Sequence, residues 1–503
     1  MTSKAHTMPN KCGQSCFDKI ERWGNKLPHP VSLFVLLTFF VMFLSCIGHY
    51  AGWSYQLPGQ ELQFVQNLLS PSAIRQWLGG AVYEFIRFPP LGIIVVAMVG
   101  IGLADSSGLI SYSVQRAVKQ AGTWQLTATI LLLGVLSNVI GSVGYIVLIP
   151  LACRTYQAAG RPPLAGLATA FAGVAGGTHA TVFMTTYDVV IAGISTSAAS
   201  LISPDIVVSP LANYYFLASS VFLLIAVGSV VSIKFVEPRL SKHYVQQKSD
   251  EVSPNRKNDR ALFWSTFVFL GTLAAILIAA IHPDGWLRPE EGTLFAHSEI
   301  VKGLPILVSI TFGLSGLTFG WLSGAFSSEK DIIEACQKSL SQLGLFLLLI
   351  FFASQLIYMF KLSQISGYLA VNFGNLVSSF AVSPILLVIA VITISAILNI
   401  FMGSPVVQWS MMAPVFIPTM LMAGIPIELT QVAFRIGDSV TNIISPLFGY
   451  LGIILATAQQ YSSKAKIGTL VSMMLPFSLS FLVMWSSFLL LWVFYFELPL
   501  GIQ

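Results

Sequence analysis

Charged residues are scarce in this chain. Only 9% of its 503 residues are Asp, Glu, Lys or Arg, whereas 55% are hydrophobic, and the mean hydropathy is +0.77. Soluble globular proteins carry about 25% charged residues, so this composition excludes a soluble domain and predicts an all-α polytopic membrane protein. The net charge of +5 does not indicate nucleic-acid binding, and we read it loop by loop as a signal of membrane topology.

Cysteine is rare as well, with five residues in the chain. Cys12 and Cys16 are spaced C-x3-C without a second pair or a nearby histidine, so a zinc site is not expected. Cys46 and Cys153 lie in or beside apolar runs, and the odd total does not indicate a disulfide framework. A cleavable signal peptide is not visible, because about thirty polar residues precede the first apolar run. We expect no cofactor other than a coupling ion.

Nine apolar segments predict membrane spans. A hydrocarbon core of about 30 Å needs roughly 20 helical residues, and each segment reaches that length. Lys and Arg are in excess in residues 1–30, which predicts a cytoplasmic N-terminus and, after nine spans, a C-terminus outside. The segments are Val31 to about Trp53, Pro90 to about Ile110, Pro163 to about Ser200, Tyr214–Phe235, Ala261–Ile281, Leu304–Gly324, about Leu340–Phe360, Glu428 to about Gln460, and Thr469–Phe496.

Two further regions, at about 124–157 and 385–420, each consist of two apolar arms around a break. The first break is Gly141-Ser142, and the second is Gly403-Ser404-Pro405. Short arms around a break are typical of a re-entrant hairpin, which enters and leaves the membrane on one side. Two ordinary tilted spans are the alternative for the first region, because both arrangements return the chain to the same side.

The order of these elements repeats along the chain. Two spans, a hairpin and two more spans make up residues 31–236 and again residues 304–497. A cytoplasmic linker, 237–260, and one extra span, 261–281, lie between the copies, so the second copy is inverted. Inverted repeats with discontinuous helices are typical of secondary transporters, whose site lies near the midplane. Short matches mark the repeat: Ile149-Pro150 with Ile417-Pro418, Ala159-Gly160-Arg161-Pro162 with Ala423-Gly424-Ile425-Pro426, Ala170-Phe171 with Ala433-Phe434, and Thr178-His179 with Thr441-Asn442.

Two charged residues interrupt the apolar stretch Leu398–Pro446. Arg435 and Asp438 are three residues apart on one helix, so their side chains can meet. A charge at membrane depth is costly and usually marks a functional site. The planar guanidinium of Arg435 suits a substrate carboxylate, and Asp438 would orient it or carry a coupling proton or cation. A structural ion pair that closes a helix break is the alternative.

Asp188 lies in the third span, beyond a glycine-rich break. It has no Lys or Arg close in sequence, so within a membrane it would be protonated or bound to a cation. We therefore expect Asp188 to be a coupling site for H⁺ or Na⁺. The alternative is that the span ends near residue 186 and that Asp188 is solvated.

Four polar side chains lie at the breaks and hairpins. Asn399 precedes the second hairpin tip and Asn442 follows the second helix break, and Asn138 and Thr178 are the corresponding candidates in the first copy. Their oxygens, together with carbonyl groups freed at the breaks, are hard ligands that suit Na⁺. Asp188 and Asn399 are the first candidates for such a metal site. Helix capping is the alternative for each of the four.

Trp409 and His179 complete the set of candidates. Trp409 lies just past the second tip, where it can stack on an aromatic substrate ring or pack at an interface. His179 lies at a break, where it can carry a proton or serve as a satisfied polar residue between the copies. Trp409 and Arg435 occur only in the second copy, so we expect substrate recognition mainly there and ion coupling in both.

At these residues the chain resembles the p-aminobenzoyl-glutamate transporter (AbgT) family. The resemblance rests on LNIFMGSPVVQWSMMAPVFIP at 398–418 and LTQVAFRIGDSVTNIISPL at 429–447, and shorter matches extend it over essentially the whole chain. It implies a dimeric carrier of the bacterial inner membrane with nine transmembrane helices and two hairpins. Such carriers import p-aminobenzoyl-glutamate or export sulfonamide-type antimetabolites with an ion gradient. The functional positions that the resemblance implies are Asp188, Asn399, Trp409, Arg435, Asp438 and Pro446.

Four places depart from the family pattern. Ser142 stands where the first tip usually carries an acidic residue, and His179-Ala180-Thr181 stands in place of Ser-Ala-Asn. Val406 replaces a small polar residue at the second tip, and Ile427 replaces a proline. These changes cluster at the expected site, so they concern the substrate and the coupling ion rather than the fold.

The sequence thus favours a secondary transporter of a small aromatic carboxylate over an enzyme. One alternative is an intramembrane serine protease that uses Ser315 of Gly313-Leu314-Ser315-Gly316 with His179, but short Gly/Ser runs are common in packed membrane helices. A channel lined by the hairpins and a carrier of another small carboxylate are further alternatives. We expect membrane lipid and a second copy of the chain as partners, and no nucleic acid.

Overall fold

The fold is described from a computed structural model of the chain. Three segments lie outside the described residues: the first tip with Ser142, most of the cytoplasmic linker and nearly all of the N-terminal segment. The expectations for these segments therefore stay predictions. The described residues are 30–56, 61–120, 125–140, 144–203, 205–241, 256–282, 285–288, 299–341, 343–380, 382–463 and 465–502.

Helices dominate the described part of the chain, as the composition predicts. They are α1 (Pro30–Tyr50), α2 (Pro71–Ile86), α3 (Pro89–Ser106), α4 (Leu109–Gln120), α5 (Leu126–Leu136), α6 (Ile149–Ala158), α7 (Pro163–Phe171), α8 (Thr186–Ala199), α9 (Tyr214–Val231), α10 (Glu237–Ser241), α11 (Arg256–Ile281), α12 (Glu299–Ser323), α13 (Glu329–Ser341), α14 (Gly344–Ser363), α15 (Ile365–Ser379), α16 (Pro384–Met402), α17 (Pro405–Met422), α18 (Ile427–Asn442), α19 (Leu451–Tyr461) and α20 (Ile467–Leu490). Short 3₁₀ or π segments occur at Ser137–Ile140, Gly144–Leu148, Ala172–Gly176, Ser232–Val236 and Leu491–Tyr495. A small antiparallel hairpin pairs β1 (Ser54–Tyr55) with β2 (Gln63–Phe64).

The polytopic character of the chain is confirmed. Among the described residues, seven helices are long and apolar enough to cross a membrane, or up to nine if each of two bent pairs is one span. The bent pairs are α3 with α4, at 59°, and α14 with α15, at 72°. Both arms of the second hairpin, α16 and α17, are among the seven. The count of nine spans with two re-entrant hairpins therefore stays a prediction.

The discontinuous helices lie mostly where the sequence predicts them. After α7 the chain continues as the π segment Ala172–Gly176 and resumes a helix only at Thr186. In the second copy α18 ends at Asn442 and α19 begins at Leu451. The sequence Gly437-Asp438-Ser439 also predicts an interruption of the span from Glu428 to about Gln460, and this prediction is wrong, because α18 continues through it. Gly437 instead permits close packing, since a Cβ there would lie 2.4 Å from the carbonyl oxygen of Ile392 on α16.

The two copies have the same order of elements and pack on each other. In the first copy α5 contacts the π segment Ala172–Gly176, and in the second copy α16 contacts α18. Across the copies, α8 packs on α17, and α19 packs on α6 and α7. Both copies end in a long helix, α9 or α20, that continues as a π segment. Each broken helix therefore rests on the hairpin of the other copy.

Most of the buried hydrophobic residues belong to three clusters. The largest buried cluster combines residues of both copies, such as Phe171 on α7 and Val432 on α18. A separate cluster joins α1, α14 and α15, through residues such as Phe34 and Leu356. A third cluster lies between them and contains Trp409 of α17. The candidate site residues lie where the two copies meet.

Candidate functional site

The centre of the site is an ion pair between the two copies. The guanidinium of Arg435, on α18, donates from Nη1 to Oδ1 of Asp188, on α8. The two side chains are only 1% and 5% exposed, so the pair is shielded from water. Asp188 has no Lys or Arg close in sequence, but Arg435 is its basic partner in the structure, and the alternative that Asp188 is solvated does not agree with its burial. The partner is 247 residues away in sequence, which is why local spacing could not reveal it.

Asp188 is held in place by the start of its own helix. Thr185 is the N-cap of α8, and its backbone N and Oγ1 donate to Asp188 Oδ2 at 2.6 and 2.7 Å. The Asp188 amide donates back to Thr185 Oγ1 at 3.3 Å. This is a capping box, and the T-x-x-D spacing that signals it is present in the sequence. One carboxylate oxygen is thus bound locally, which leaves the other to meet Arg435.

Asp438 pairs with a histidine rather than with Arg435. Nε2 of His179 lies 3.1 Å from Oδ2 of Asp438, and both side chains are fully buried. The backbone amide of His179 donates to the Ser439 hydroxyl at 3.3 Å. The i, i+3 meeting of Arg435 and Asp438 that we expected is replaced by two pairs, each of which joins one copy to the other. His179 is therefore a polar contact between the copies, but it is not the fully satisfied residue of the alternative interpretation, because its Nδ1 is buried without a hydrogen-bond partner among the described residues.

Asn399 joins the first arm of the second hairpin to α18. Its Nδ2 donates to the backbone oxygen of Asp438 at 2.6 Å, and it also lies 2.8 Å from Asn442 Oδ1 and 3.1 Å from Thr441 Oγ1. The carboxamide oxygen of Asn399 and Oδ1 of Asp438 are buried and have no hydrogen-bond partner among the described residues. Two hard oxygen ligands are thus present on neighbouring residues. The structure brings Asn399 to Asp438, whereas Asp188 lies against Arg435.

Asn442 extends this network into the first copy. Its Nδ2 lies 3.4 Å from Thr178 Oγ1 and 3.4 Å from the backbone oxygen of Ala175. Thr178 itself donates to the Ala175 carbonyl at 2.7 Å. Asn138 donates to the Gly177 carbonyl at 3.4 Å. Asn442 was predicted to follow the second helix break, but it is the last residue of α18 and precedes the break. Side-chain hydrogen bonds link it to Asn399 and Thr178.

Trp409 is fully buried and fixed on both sides. Its indole Nε1 donates to the Ser195 hydroxyl on α8 at 3.0 Å, and its ring stacks on Phe434 with centroids 4.5 Å apart. Gln431 of α18 donates to the same hydroxyl at 2.8 Å. In this state Trp409 packs at an interface, as the alternative interpretation predicted. Ser195 and Gln431 were missed by sequence reasoning, because each lies beside other polar residues of its helix and nothing local distinguishes it from them.

The remaining family positions surround this centre. Pro446 is half-buried in the break between α18 and α19, beside Ser445, whose hydroxyl donates to the Ile400 carbonyl. Val406 is buried at the start of α17, and Ile427 is the first residue of α18. Thr181 is buried in the turn before α8, where its hydroxyl donates to the Phe183 carbonyl. These departures therefore lie at the ends of the elements that form the site.

The site is closed in this state. A cavity of about 10 Å³ lies beside Thr185, between α8 and the helices α3 and α12. A cavity of that size holds about one water molecule, so it does not admit a substrate. Arg435 is bound to Asp188 and only 1% exposed, so a ligand can reach it only when the helices move.

The geometry does not favour the protease alternative. Ser315 lies on α12, is fully buried and donates to the Thr311 carbonyl at 2.8 Å. His179 has Asp438 and Ser439 as its partners. A nucleophile and its base must lie within hydrogen-bond reach, and these two residues belong to separate networks.

Comparison with known proteins places the chain among transporters. Residues 15–503 match the model of the "AbgT putative transporter family". The p-aminobenzoyl-glutamate transport protein of Escherichia coli (strain K12) is 31% identical over 485 residues, which cover 96% of this chain and 95% of that protein. The solved YdaH transporter of Alcanivorax borkumensis superimposes with a TM-score of 0.89 at 36% identity, over 94% of this chain and 100% of that one.

A second solved structure is MtrF of Neisseria gonorrhoeae, described as illuminating a class of antimetabolite efflux pumps. Its TM-score is also 0.89 and its identity 36%, over 97% of this chain and 99% of that one. The match of the family model and of these proteins spans nearly the entire chain. This multi-pass membrane protein therefore belongs to the AbgT family of transporters.

Proposed function

We propose that this protein is a secondary active transporter of small aromatic carboxylates of the p-aminobenzoyl-glutamate type, driven by a gradient of H⁺ or Na⁺ through alternating access. The observation that carries the proposal is the buried Arg435–Asp188 pair between the two copies. A guanidinium at membrane depth suits bidentate binding of a carboxylate. The p-aminobenzoyl-glutamate transport protein of E. coli, at 31% identity, supports this class of substrate.

In the proposed cycle the substrate carboxylate takes the place of Asp188 on Arg435. Asp188 is an internal carboxylate ligand of Arg435 in the closed state. Once displaced, it would be a buried charge without a partner, which typically costs about 3–5 kcal/mol. Binding a proton or a cation at Asp188 removes this cost. Substrate binding and ion binding would then depend on each other, which is the requirement for coupling.

A second ion position is proposed at Asn399 and Asp438. Asn399 Oδ1 and Asp438 Oδ1 are buried and lack hydrogen-bond partners among the described residues. Amide and carboxylate oxygens near freed backbone carbonyls are typical ligands of Na⁺ in transporters with broken helices. Asn442, Asn138 and Thr178 would supply or orient further oxygens. Asp438 would then serve the ion rather than orient Arg435.

Trp409 and Pro446 are proposed to shape the substrate side of the site. Trp409 would offer its ring to the aromatic part of the substrate once the stack with Phe434 opens, since aromatic rings pair face to face or edge to face. Pro446 would keep the break after α18 from closing into a helix. The protein would work as a homodimer in the bacterial inner membrane, with its N-terminus in the cytoplasm and its C-terminus outside.

The test is transport by the purified protein in liposomes. Radiolabelled p-aminobenzoyl-glutamate would be offered under a Na⁺ gradient alone and under a H⁺ gradient alone. Accumulation against the substrate gradient in one of the two conditions is expected, and its loss in Arg435→Ala. Equal and saturable uptake in Arg435→Ala would overturn the assignment of the carboxylate site.

An exporter of sulfonamide-type antimetabolites is a second candidate. The likeness to MtrF, described as an antimetabolite efflux pump, favours it. Counterflow distinguishes the two, because preloaded sulfonamide would drive uptake of labelled p-aminobenzoyl-glutamate only if one site carries both. A carrier of another small carboxylate is the remaining alternative. Saturation of the flux at high substrate concentration would exclude a channel.

A further inference from the structure

A cavity lies beside the β hairpin that follows α1, at the opposite end of α8 from the buried ion pair. Its volume is about 290 Å³, near the lower end of the range of small-molecule sites. We call it the outer pocket. Its lining is Tyr55, Gln63, Ser200, Leu201, Ile202, Phe360, Lys361, Gln364, Ser366 and Gly367.

One wall of the outer pocket is rigid. The Tyr55 hydroxyl of β1 donates to Gln364 Oε1 at 2.6 Å, and Gln364 Nε2 donates to the Lys361 carbonyl at 3.0 Å. Gln364 sits at the bend between α14 and α15 with a φ of 61°, a left-handed conformation that is strained for this residue and typical of functional sites. A Cβ at Gly367 would lie 2.2 Å from the Tyr55 ring, so only glycine permits this packing.

The opposite wall belongs to the helix that carries Asp188. Ser200, Leu201 and Ile202 form the turn directly after α8. Since α8 has 14 residues, it is about 21 Å long. The outer pocket and the ion pair thus lie at opposite ends of one helix. Movement of α8 would change the distance between the two walls.

The chemistry of the lining is mixed. Tyr55 and Phe360 contribute aromatic rings, and Leu201 and Ile202 contribute aliphatic surface. Ser366 is 2% exposed, and its hydroxyl has no hydrogen-bond partner among the described residues. An unsatisfied buried polar group of this kind calls for an explanation such as a ligand.

Lys361 is the charged residue of the lining. Its ammonium group lies 3.3 Å from Glu84 Oε1, and the two side chains are 53% and 28% exposed. Ion pairs in contact with solvent are weak, so Lys361 can exchange Glu84 for the carboxylate of a ligand. Aromatic rings beside a cation and a free hydroxyl suit a molecule with an aromatic part and a carboxylate.

We propose that the outer pocket is a second binding site for small aromatic carboxylates, which bind there before or after they occupy the central site. This inference rests on the proposed function, because it assigns the same class of substrate to a second place. A ligand in the outer pocket contacts both the rigid wall and the end of α8. Its occupancy therefore favours the position of α8 that keeps the pocket open.

Equilibrium binding tests the proposal. The probe is radiolabelled p-aminobenzoyl-glutamate on the purified full-length protein in nanodiscs. The wild type is expected to bind the probe at two classes of site that differ in affinity. Arg435→Ala is expected to keep only the class of lower affinity, which we call the weaker class. Gln63→Trp fills the outer pocket from its exposed side and is expected to weaken the weaker class at least about tenfold. The matched control is Gln66→Trp on the same hairpin, whose exposed side chain is not part of the lining and which should keep both classes.

The other outcomes decide separately on the outer pocket, its location and the proposed function. A single class in the wild type that disappears in Arg435→Ala overturns the outer pocket and leaves the proposed function in place. A weaker class that persists in Gln63→Trp overturns the location. No binding in the wild type overturns both proposals. If Arg435→Ala does not fold, the count of classes in Gln63→Trp against Gln66→Trp gives the same decision.

Discussion

Both copies of the repeat contain an equivalent asparagine hydrogen bond, which is shorter in the second copy. In each copy an asparagine on the first hairpin arm donates to a backbone carbonyl 39 residues further along the chain. The distance is 3.4 Å from Asn138 to Gly177 and 2.6 Å from Asn399 to Asp438. The carbonyl of Asp438 belongs to the continuous helix α18, whereas Gly177 follows a π segment. The contact is therefore tighter where the helix is unbroken.

The copies also differ in the charges that they contribute. The second copy supplies Arg435 and Asp438 from within α18, and the first supplies His179 and Asp188 from beyond its break. Each of these residues pairs with a residue of the other copy. A comparison of the copies thus teaches that the site is divided between them. Within the site, neither copy alone contains a charged residue together with its partner.

The largest effect is expected from breaking the pair that joins the copies. Arg435→Ala leaves the Asp188 carboxylate buried without its partner, so we expect a loss of about 3–5 kcal/mol in the free energy of unfolding. Transport should fall to background. Denaturation of the purified protein in detergent and uptake in liposomes measure the two effects.

The double variant Arg435→Ala/Asp188→Asn is the control. It removes both charges, so most of the stability should return while transport does not. If the single variant is as stable as the wild type, the ion pair does not hold the copies together. If the double variant transports, Arg435 does not bind the carboxylate of the substrate.

A smaller effect is expected from a charge cluster that only the first copy has. Arg161 binds both oxygens of Glu237, at 2.6 and 2.8 Å, and also Thr127 Oγ1 at 2.8 Å. The matching residue of the second copy is Ile425, which is buried. Arg161→Ile makes the copies alike and leaves Glu237 without this cation. Since the pair is only partly buried, we expect a loss of about 2–3 kcal/mol, measured by denaturation, with the ion dependence of transport unchanged.

Arg161→Ile/Glu237→Leu is the matched variant. Removal of both charges should recover part of the lost stability. A change in coupling stoichiometry in Arg161→Ile would contradict the purely structural role assigned to this cluster.

The asparagine contacts allow a direct comparison of the copies. Among the described residues, Asn399 has three partners within 3.1 Å, whereas Asn138 has two, at 3.2 and 3.4 Å. Asn399→Ala should therefore cost about 2–3 kcal/mol and Asn138→Ala about 1 kcal/mol. Parallel denaturation curves of the two variants measure the difference. Equal losses would mean that the contacts are equivalent despite their distances.

The smallest effects are expected at two glycines of the second copy. Gly403, at the tip between α16 and α17, has a φ of 62°, and a Cβ there would lie 2.7 Å from the Leu447 carbonyl oxygen. Gly424 has a φ of 77° but has space around it. We expect Gly403→Ala to cost about 2 kcal/mol and Gly424→Ala about 1 kcal/mol. Thermal unfolding compares them, and a larger loss at Gly424 would refute the contact at the tip.

Much of the framework could be predicted from the sequence. The apolar segments, the glycine-rich break after Phe171 and the Gly-Ser-Pro tip have local signals, and each appears in the structure. The bends between α3 and α4 and between α14 and α15 were missed. No glycine or proline stands at the position of the bend, Gln364, to signal it. Gln364 instead accepts a hydrogen bond from the Tyr55 hydroxyl, which is 309 residues away in sequence.

The partners within the site could not be predicted. Sequence spacing assigns Arg435 to Asp438, because residues three apart on a helix are neighbours. The packing of α8 on α18 brings Asp188 to Arg435, and the turn within the first break brings His179 to Asp438. Such contacts depend on how two distant segments meet. The T-x-x-D capping box at Thr185 was the one local signal that fixed the orientation of Asp188.

The distance in sequence between Asp188 and Arg435 has a consequence for synthesis. The ribosome adds 247 residues between the two, which at about 5–20 residues per second takes roughly 12–50 s. During this time Arg435, the partner of the Asp188 carboxylate in the folded protein, has not been synthesised. We therefore expect the segment Thr186–Ala199 to enter the bilayer late, after α18 leaves the translocon, or to enter with Asp188 protonated. A nascent chain stalled before residue 435 would remain exposed to proteases there.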